Sequence, residues 1–217
     1  MRHVLRQQAT FIKQFGTHFE TTGSLIPSSR FLAKAITRYL SQRGKAPIRV
    51  LECGPGTGAF SDRIVRRLQP GDVYHLVELN EHFVQTLRGR FANEPAWQNV
   101  AGLAQIYETP LQEFDPDEKY DFIISGLPHV NFSAELLREI TAAYFRMLQA
   151  GGMLSYFEYM YVRPLRKSIS FGSGRQRMGE VNRIMQDYCN AFRIKRDRVW
   201  MNFPPAWVQH LRTESAD

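Results

Sequence analysis

Cysteine is scarce: the 217 residues hold only Cys53 and Cys189, and neither belongs to a C-x-x-C pair or a Cys/His cluster with metal-ligand spacing. That excludes a disulfide scaffold and a zinc module, and no metal is expected. No unbroken apolar run approaches the roughly 18 residues of a membrane-spanning helix. The opening residues Met1-Arg2-His3-Val4-Leu5-Arg6-Gln7-Gln8 soon turn polar and lack the apolar stretch and small-residue cleavage site of a secretory signal. A cytoplasmic location is the expectation. Repeats and low-complexity tracts are missing too, and the length suits one α/β domain with a complete core.

Charge is what the chain has in excess, and it is unevenly placed. Residues 1–45 carry 8 Lys/Arg against 1 acid and residues 161–200 carry 10 against 3, whereas residues 46–160 carry 9 against 15. An acidic centre between basic flanks points to an anionic partner, either membrane phosphates or a nucleic acid.

Val4, Gln8, Phe11, Ile12, Phe15 and Phe19 recur at three- and four-residue steps, which predicts an amphipathic helix; a second follows Pro27-Ser28-Ser29, with Phe31, Leu32, Ala35, Ile36, Tyr39 and Leu40 as its stripe. Residues 1–45 therefore read as an N-terminal helical segment and 46–217 as the main domain. In the latter, strands are expected at Ile48–Glu52, Val73–Glu78, Leu103–Tyr107, Tyr120–Ser125, Met153–Tyr161, Phe192–Met201 and Val208–Leu211. The helices are Ala59–Leu68, Glu81–Phe91, Ala134–Leu148 and Glu180–Cys189. Such alternation predicts a seven-stranded, mostly parallel sheet covered on both faces, and the short Pro204-Pro205 turn makes the last strand antiparallel.

The first strand runs into Glu52-Cys53-Gly54-Pro55-Gly56-Thr57-Gly58. Glycines there bare the backbone at a strand's carboxyl end, where open α/β sheets bind ligands. A dinucleotide turn reads G-x-G-x-x-G; this one reads E-x-G-x-G-x-G and resembles the turn of Rossmann-like class I methyltransferases. The resemblance implies S-adenosylmethionine as cofactor and S-adenosylhomocysteine as product, with Gly54, Gly56 and Gly58 under the methionine part and Glu52 helping to hold its amino group. Glu78 ends the second strand, where a carboxylate can take both ribose hydroxyls, with Leu79 beside it. Thr109-Pro110-Leu111-Gln112 is expected over the adenine through Leu111 and Gln112.

Strand four runs into Ser125-Gly126-Leu127-Pro128-His129, at the edge where a sulfonium would lie. Backbone carbonyls of Ser125, Gly126 and Leu127 are candidates to accept amine hydrogens, and His129 is a candidate to take the released proton. Four stretches resemble the bacterial phospholipid N-methyltransferases: FGTHFETTGSLIPSSR from Phe15 to Arg30, the LECGPGTG turn, the Ser125–Pro128 run, and Asn202-Phe203-Pro204-Pro205-Ala206. That resemblance implies an enzyme peripheral to the inner face of the membrane, methylating an aminophospholipid such as phosphatidylethanolamine, with its N-terminal helix on an anionic lipid surface. Arg163, Arg166 and Lys167 with Tyr161 are candidates to grip the substrate phosphate, and the rings of Tyr159 and Tyr161 to face a methylated ammonium. Three alternatives stand beside this. One is a small-molecule methyltransferase, and another a membrane-surface binding protein that keeps the fold without catalysis. The third is an rRNA adenine-N6 methyltransferase, whose N-[IL]-P-[FY] run would fall within Ser125–His129, where both the amide and the aromatic ring are missing.

Overall fold

The computed structural model describes residues 30–160 and 173–215. The expected first helix, Tyr161, Arg163, Arg166 and Lys167 lie outside them.

Seven strands form one sheet in the order β3-β2-β1-β4-β5-β7-β6: β1 Arg49–Cys53, β2 Val73–Glu78, β3 Ala104–Glu108, β4 Tyr120–Ser125, β5 Leu148–Tyr159, β6 Arg193–Val199 and β7 Ala206–Arg212. Pairing is parallel from β3 to β5, and β7 lies antiparallel between β5 and β6. The expected antiparallel ending is therefore present, but β6 takes the outer edge. β5 begins at Leu148 rather than Met153, because Leu148 pairs with Tyr120 across a register irregularity.

Six helices are described: α1 Arg30–Ile36, α2 Ser61–Val65, α3 Glu81–Asn93, α4 Pro95–Gln98, α5 Ala134–Met147 and α6 Ser173–Phe192. Their starts follow local chemistry. Asn80 accepts a hydrogen bond from the His82 N–H at the head of α3, and Ser133 accepts one from Leu136 N–H at the head of α5. The apolar stripes then decide which face each helix covers. Leu32 and Ile36 of α1 pack with Ile64, Trp97 and Val208 on one face of the sheet, while Leu137, Ile140 and Tyr144 of α5 pack with Ile123, Tyr156 and Met185 on the other. Burying each such aliphatic side chain contributes about 1.5–3 kcal/mol. Among the described residues no helix is long and apolar enough to cross a membrane.

Candidate active site

Because β1, β2, β4 and β5 run parallel, their carboxyl ends lie along one edge of the sheet, bringing Gly54, Glu78, Ser125 and Tyr159 together. The chain steps outward from β1 to β3 and then returns to place β4 on the other side of β1. The edge between β1 and β4 is thus the topological switch point, the place where such sheets open a ligand crevice.

The glycine turn is fixed by its own backbone and from below. Gly54 N–H donates to the Val77 carbonyl and Gly58 N–H to the Pro55 carbonyl, both at 2.9 Å. Gly54, Gly56 and Gly58 all have positive φ, at 65°, 58° and 88°. A Cβ on Gly54 would meet Leu127 at 2.5 Å and one on Gly58 would meet Arg90 and Trp97 at 2.6 and 2.7 Å, but one on Gly56 would meet nothing within 4 Å. Two glycines are therefore packed and the middle one faces open space, which is the surface a ligand can lie on.

Arg90 is a functional support that the sequence reading missed. Its guanidinium donates to the carbonyls of Thr57 and Gly58 at 3.0 and 3.1 Å, pairs with Asp62 at 2.8 Å, and lies 4.2 Å from the centre of the Trp97 ring. Trp97 in turn donates its indole N–H to Asp62 at 3.0 Å. These partners come from three segments, so no local pattern announces them.

Glu78 stands where expected. Its two carboxylate oxygens accept from Gly56 N–H at 3.1 Å and Asn80 N–H at 2.9 Å, and Leu79 supplies a further backbone N–H. Burial raises the pKa of the carboxyl, and the three backbone bonds oppose that rise. The acid thus ties β2's end to the open middle of the glycine turn.

Glu52 is fully buried, and one of its oxygens accepts hydroxyl hydrogens from Ser61, at 2.7 Å, and Tyr74. Its other oxygen has no hydrogen-bond partner. Burial pushes this carboxyl up to about 7, against the pull of the two hydroxyl bonds. A folded-state pKa above the unfolded value means the native protein binds the proton more tightly. Stability from this group is full at low pH and is lost as pH rises from the unfolded value near 4.5 to about 7. Glu52→Gln is expected to remove that loss, so that in urea unfolding the variant gains on wild type by on the order of 2–3 kcal/mol between pH 5 and pH 8. A gap unchanged with pH would show that Glu52 is ionised throughout.

At the acceptor edge, Ser125 and His129 meet through a third residue. The Tyr144 hydroxyl is 2.6 Å from Ser125 Oγ and 3.0 Å from His129 Nε2, and Ser125 Oγ also accepts from Leu127 N–H at 3.2 Å. His129 is buried, with its ring edge-on to Tyr156 at 5.0 Å. The enclosed imidazole is thereby tied to Tyr144 and helps to shape the loop. Burial lifts the Tyr144 phenol well above its ordinary value, so the hydroxyl keeps its hydrogen and can bridge both neighbours. Gly126 donates its N–H to the Cys53 carbonyl at 2.8 Å, and a Cβ there would sit 2.5 Å from the Gly54 carbonyl oxygen. Leu127 covers Gly54, and its carbonyl accepts the His129 N–H at 3.0 Å.

The remaining candidates divide. Leu111 is buried in the core beside Phe114, and Gln112 is half-buried in the same 3-10 turn. Tyr159 is half-buried at the end of β5, edge-on to Phe157 at 5.3 Å.

The family model described as a methyltransferase domain matches residues 50–152, the stretch from β1 through the start of β5. An ornithine lipid N-methyltransferase of Singulisphaera acidiphila is 30% identical over 150 residues, covering 69% of this chain and 77% of that protein. The chain belongs to the S-adenosylmethionine-dependent methyltransferases. Ribosomal RNA small subunit methyltransferase A of Pseudomonas syringae is 25% identical over 177 residues, 82% of this chain and 58% of that protein. Among solved structures, the O-methyltransferase TomG of Streptomyces achromogenes in complex with its cofactor superposes with a TM-score of 0.64 at 14% identity, covering 94% and 89% of the two chains, a likeness of fold.

S-adenosylmethionine is the cofactor of this methyltransferase, and the site fits it. The open face of Gly56 leaves room for a ligand against bare backbone, and Glu78, whose carboxylate lies beside that face, would hold the ribose hydroxyls. Bound there, the cofactor supplies an electrophilic methyl group. The protein's share is to hold the turn rigid through Glu52, Arg90 and Trp97 and to set the β4 loop against it through Gly126 and Leu127.

Proposed function

We propose that this methyltransferase acts on the headgroup amine of an aminophospholipid such as phosphatidylethanolamine, working at the inner face of the membrane. The likeness to an ornithine lipid N-methyltransferase carries the reading, since that protein's name describes methyl transfer to a lipid nitrogen. The β4 loop supports it. Gly126 and His129 stand where rRNA adenine-N6 enzymes carry the amide and the aromatic ring that hold a flipped base, and His129 is buried against Tyr144. An amine arriving at this edge must be neutral to attack, so the loop's task is to orient it while water and protons are kept away. Tyr159, and beyond it Tyr161, Arg163, Arg166 and Lys167, are the proposed contacts for the ammonium product and the phosphate.

Ribosomal RNA is the second reading, favoured by the 25% identity to the small-subunit enzyme. Transfer of a tritiated methyl group decides between them. Label is expected in phosphatidylethanolamine vesicles and not in small-subunit rRNA or free ethanolamine. Label in the RNA alone would replace the lipid with a nucleic acid, and label in the free amine alone would make the acceptor a small molecule.

A further inference from the structure

A cleft of about 470 Å³ opens between α1, α2 and the carboxyl end of β6, and none of its lining residues belongs to the glycine turn or is Glu78. Five of its lining residues are cationic, beside Ser41, Gln42 and Asp197: Lys34 and Arg38 from α1 and the turn after it, Arg63 and Arg67 from α2 and its end, and Arg198 from β6. Asp197 is the lining carboxylate, and it is already engaged by Arg38 at 2.6 Å and by His210 at 3.3 Å. Lys34, Arg63, Arg67 and Arg198 have no carboxylate partner among the described residues. Arg63 Nε is buried without a hydrogen-bond partner, and burial, with the neighbouring Arg67 charge, lowers the pKa of its guanidinium. So many uncompensated cations around one recess attract an anion.

The apolar side of the same feature is equally unusual. Phe31, Trp200, Met201 and Phe203 are 38%, 58%, 71% and 76% exposed, and they are four of the five large hydrophobic side chains exposed among the described residues. Phe31, Trp200 and Met201 line the cleft, and Phe203 follows in the β6–β7 loop. β6 runs parallel to β5, so this loop leaves the sheet at the edge that also carries Gly54, Ser125 and Tyr159. Met160 N–H donates to the Pro205 carbonyl at 2.8 Å, which fastens the loop to the end of β5. Projecting apolar groups beside a cationic recess are complementary to a bilayer interface, where acyl chains lie beneath a layer of phosphates.

We propose that Phe31, Trp200, Met201 and Phe203, with Lys34, Arg63, Arg67 and Arg198, form a docking surface for an anionic bilayer, the apolar side chains entering the headgroup layer and the cations meeting lipid phosphates. It deepens the lipid reading and rests on it, placing the acceptor edge of the sheet toward the membrane. None of the docking residues lies before Arg30 or within 161–172.

Tryptophan fluorescence isolates this surface. The chain's three tryptophans are Trp97, Trp200 and Trp207; Trp97 is fully buried, and residues 1–29 contain none. With the full chain, vesicles of phosphatidylcholine plus phosphatidylglycerol carrying brominated acyl chains are expected to quench part of the emission, and phosphatidylcholine alone to quench little. Trp200→Phe should abolish that quenching while the protein still cosediments with the vesicles. The triple variant Lys34→Gln, Arg67→Gln, Arg198→Gln should bind anionic vesicles some tens of times more weakly at moderate salt, each cation contributing near a surface. S-adenosylhomocysteine affinity, read by calorimetry, should stay at the wild-type value and shows that the variants are folded. Equal vesicle affinity of wild type and triple variant, or quenching unchanged by Trp200→Phe, would overturn the proposal. So would a triple variant that loses affinity for small-subunit rRNA and keeps it for vesicles. Methyl transfer to detergent-dispersed lipid separates the two readings: if it persists while docking fails, the surface alone is wrong, and if vesicles bind but no lipid is methylated, the substrate assignment is wrong.

Discussion

Gly56→Val is expected to abolish binding of S-adenosylmethionine and S-adenosylhomocysteine while leaving the protein folded. Gly56 is the middle of three positive-φ glycines, and its α-carbon faces space in which a Cβ would touch no protein atom within 4 Å. A β-branched side chain there clashes with little of the protein but fills the volume that the cofactor approaches. It also strains a backbone at φ 58°, which costs on the order of 1–3 kcal/mol of stability. Calorimetric titration should give no measurable heat where wild type binds, and circular dichroism should show the native helix content. Gly56→Ala is the milder control, with affinity reduced but present. A folded valine variant that binds like wild type would mean the cofactor does not lie over this turn.

Glu78→Ala is expected to weaken cofactor binding by one to two powers of ten, the equivalent of roughly 1.5–3 kcal/mol for charged hydrogen bonds. Two effects add in that number. The carboxylate is the proposed acceptor for ribose hydroxyls, and it also holds Gly56 N–H at 3.1 Å, so its loss frees the turn as well. Glu78→Gln separates them. The amide keeps one acceptor for the backbone and loses the second, so it should recover the melting temperature more than the affinity. Equal recovery of both would assign Glu78 to the turn alone, and an unchanged dissociation constant for the alanine variant would place the ribose elsewhere.

Much of this protein was legible in its residues because local rules were strong. β2 and β4 have the bounds that their apolar patterns predict, and α5 differs from its expected span by one residue at its end. The turn with Gly54, Gly56 and Gly58, followed by Glu78 at the next strand end, resembles that of class I methyltransferases, and this resemblance implied the cofactor. Burial was the property that the sequence concealed. Glu52 and His129 are polar, and polar residues near a ligand edge read as ligand contacts; both turn out to be enclosed, held by Tyr74 and Tyr144 from other parts of the chain. Tyr144 itself sits on the apolar stripe of α5 and reads as core, since a helix pattern shows where a ring is buried and not what its hydroxyl reaches.

The sequence by itself determined the α/β class, the antiparallel ending and the cofactor turn, because each rests on residues close together in the chain. Tertiary structure decided the rest. Arg90 and Trp97 clamp the turn from a different helix pair, Gly126 meets Gly54 across two parallel strands, and α1, α2 and β6 gather four cations without a carboxylate partner around one cleft. These contacts join positions tens of residues apart. Only closing the sheet brings them within a few ångströms, so no periodicity along the chain can announce them.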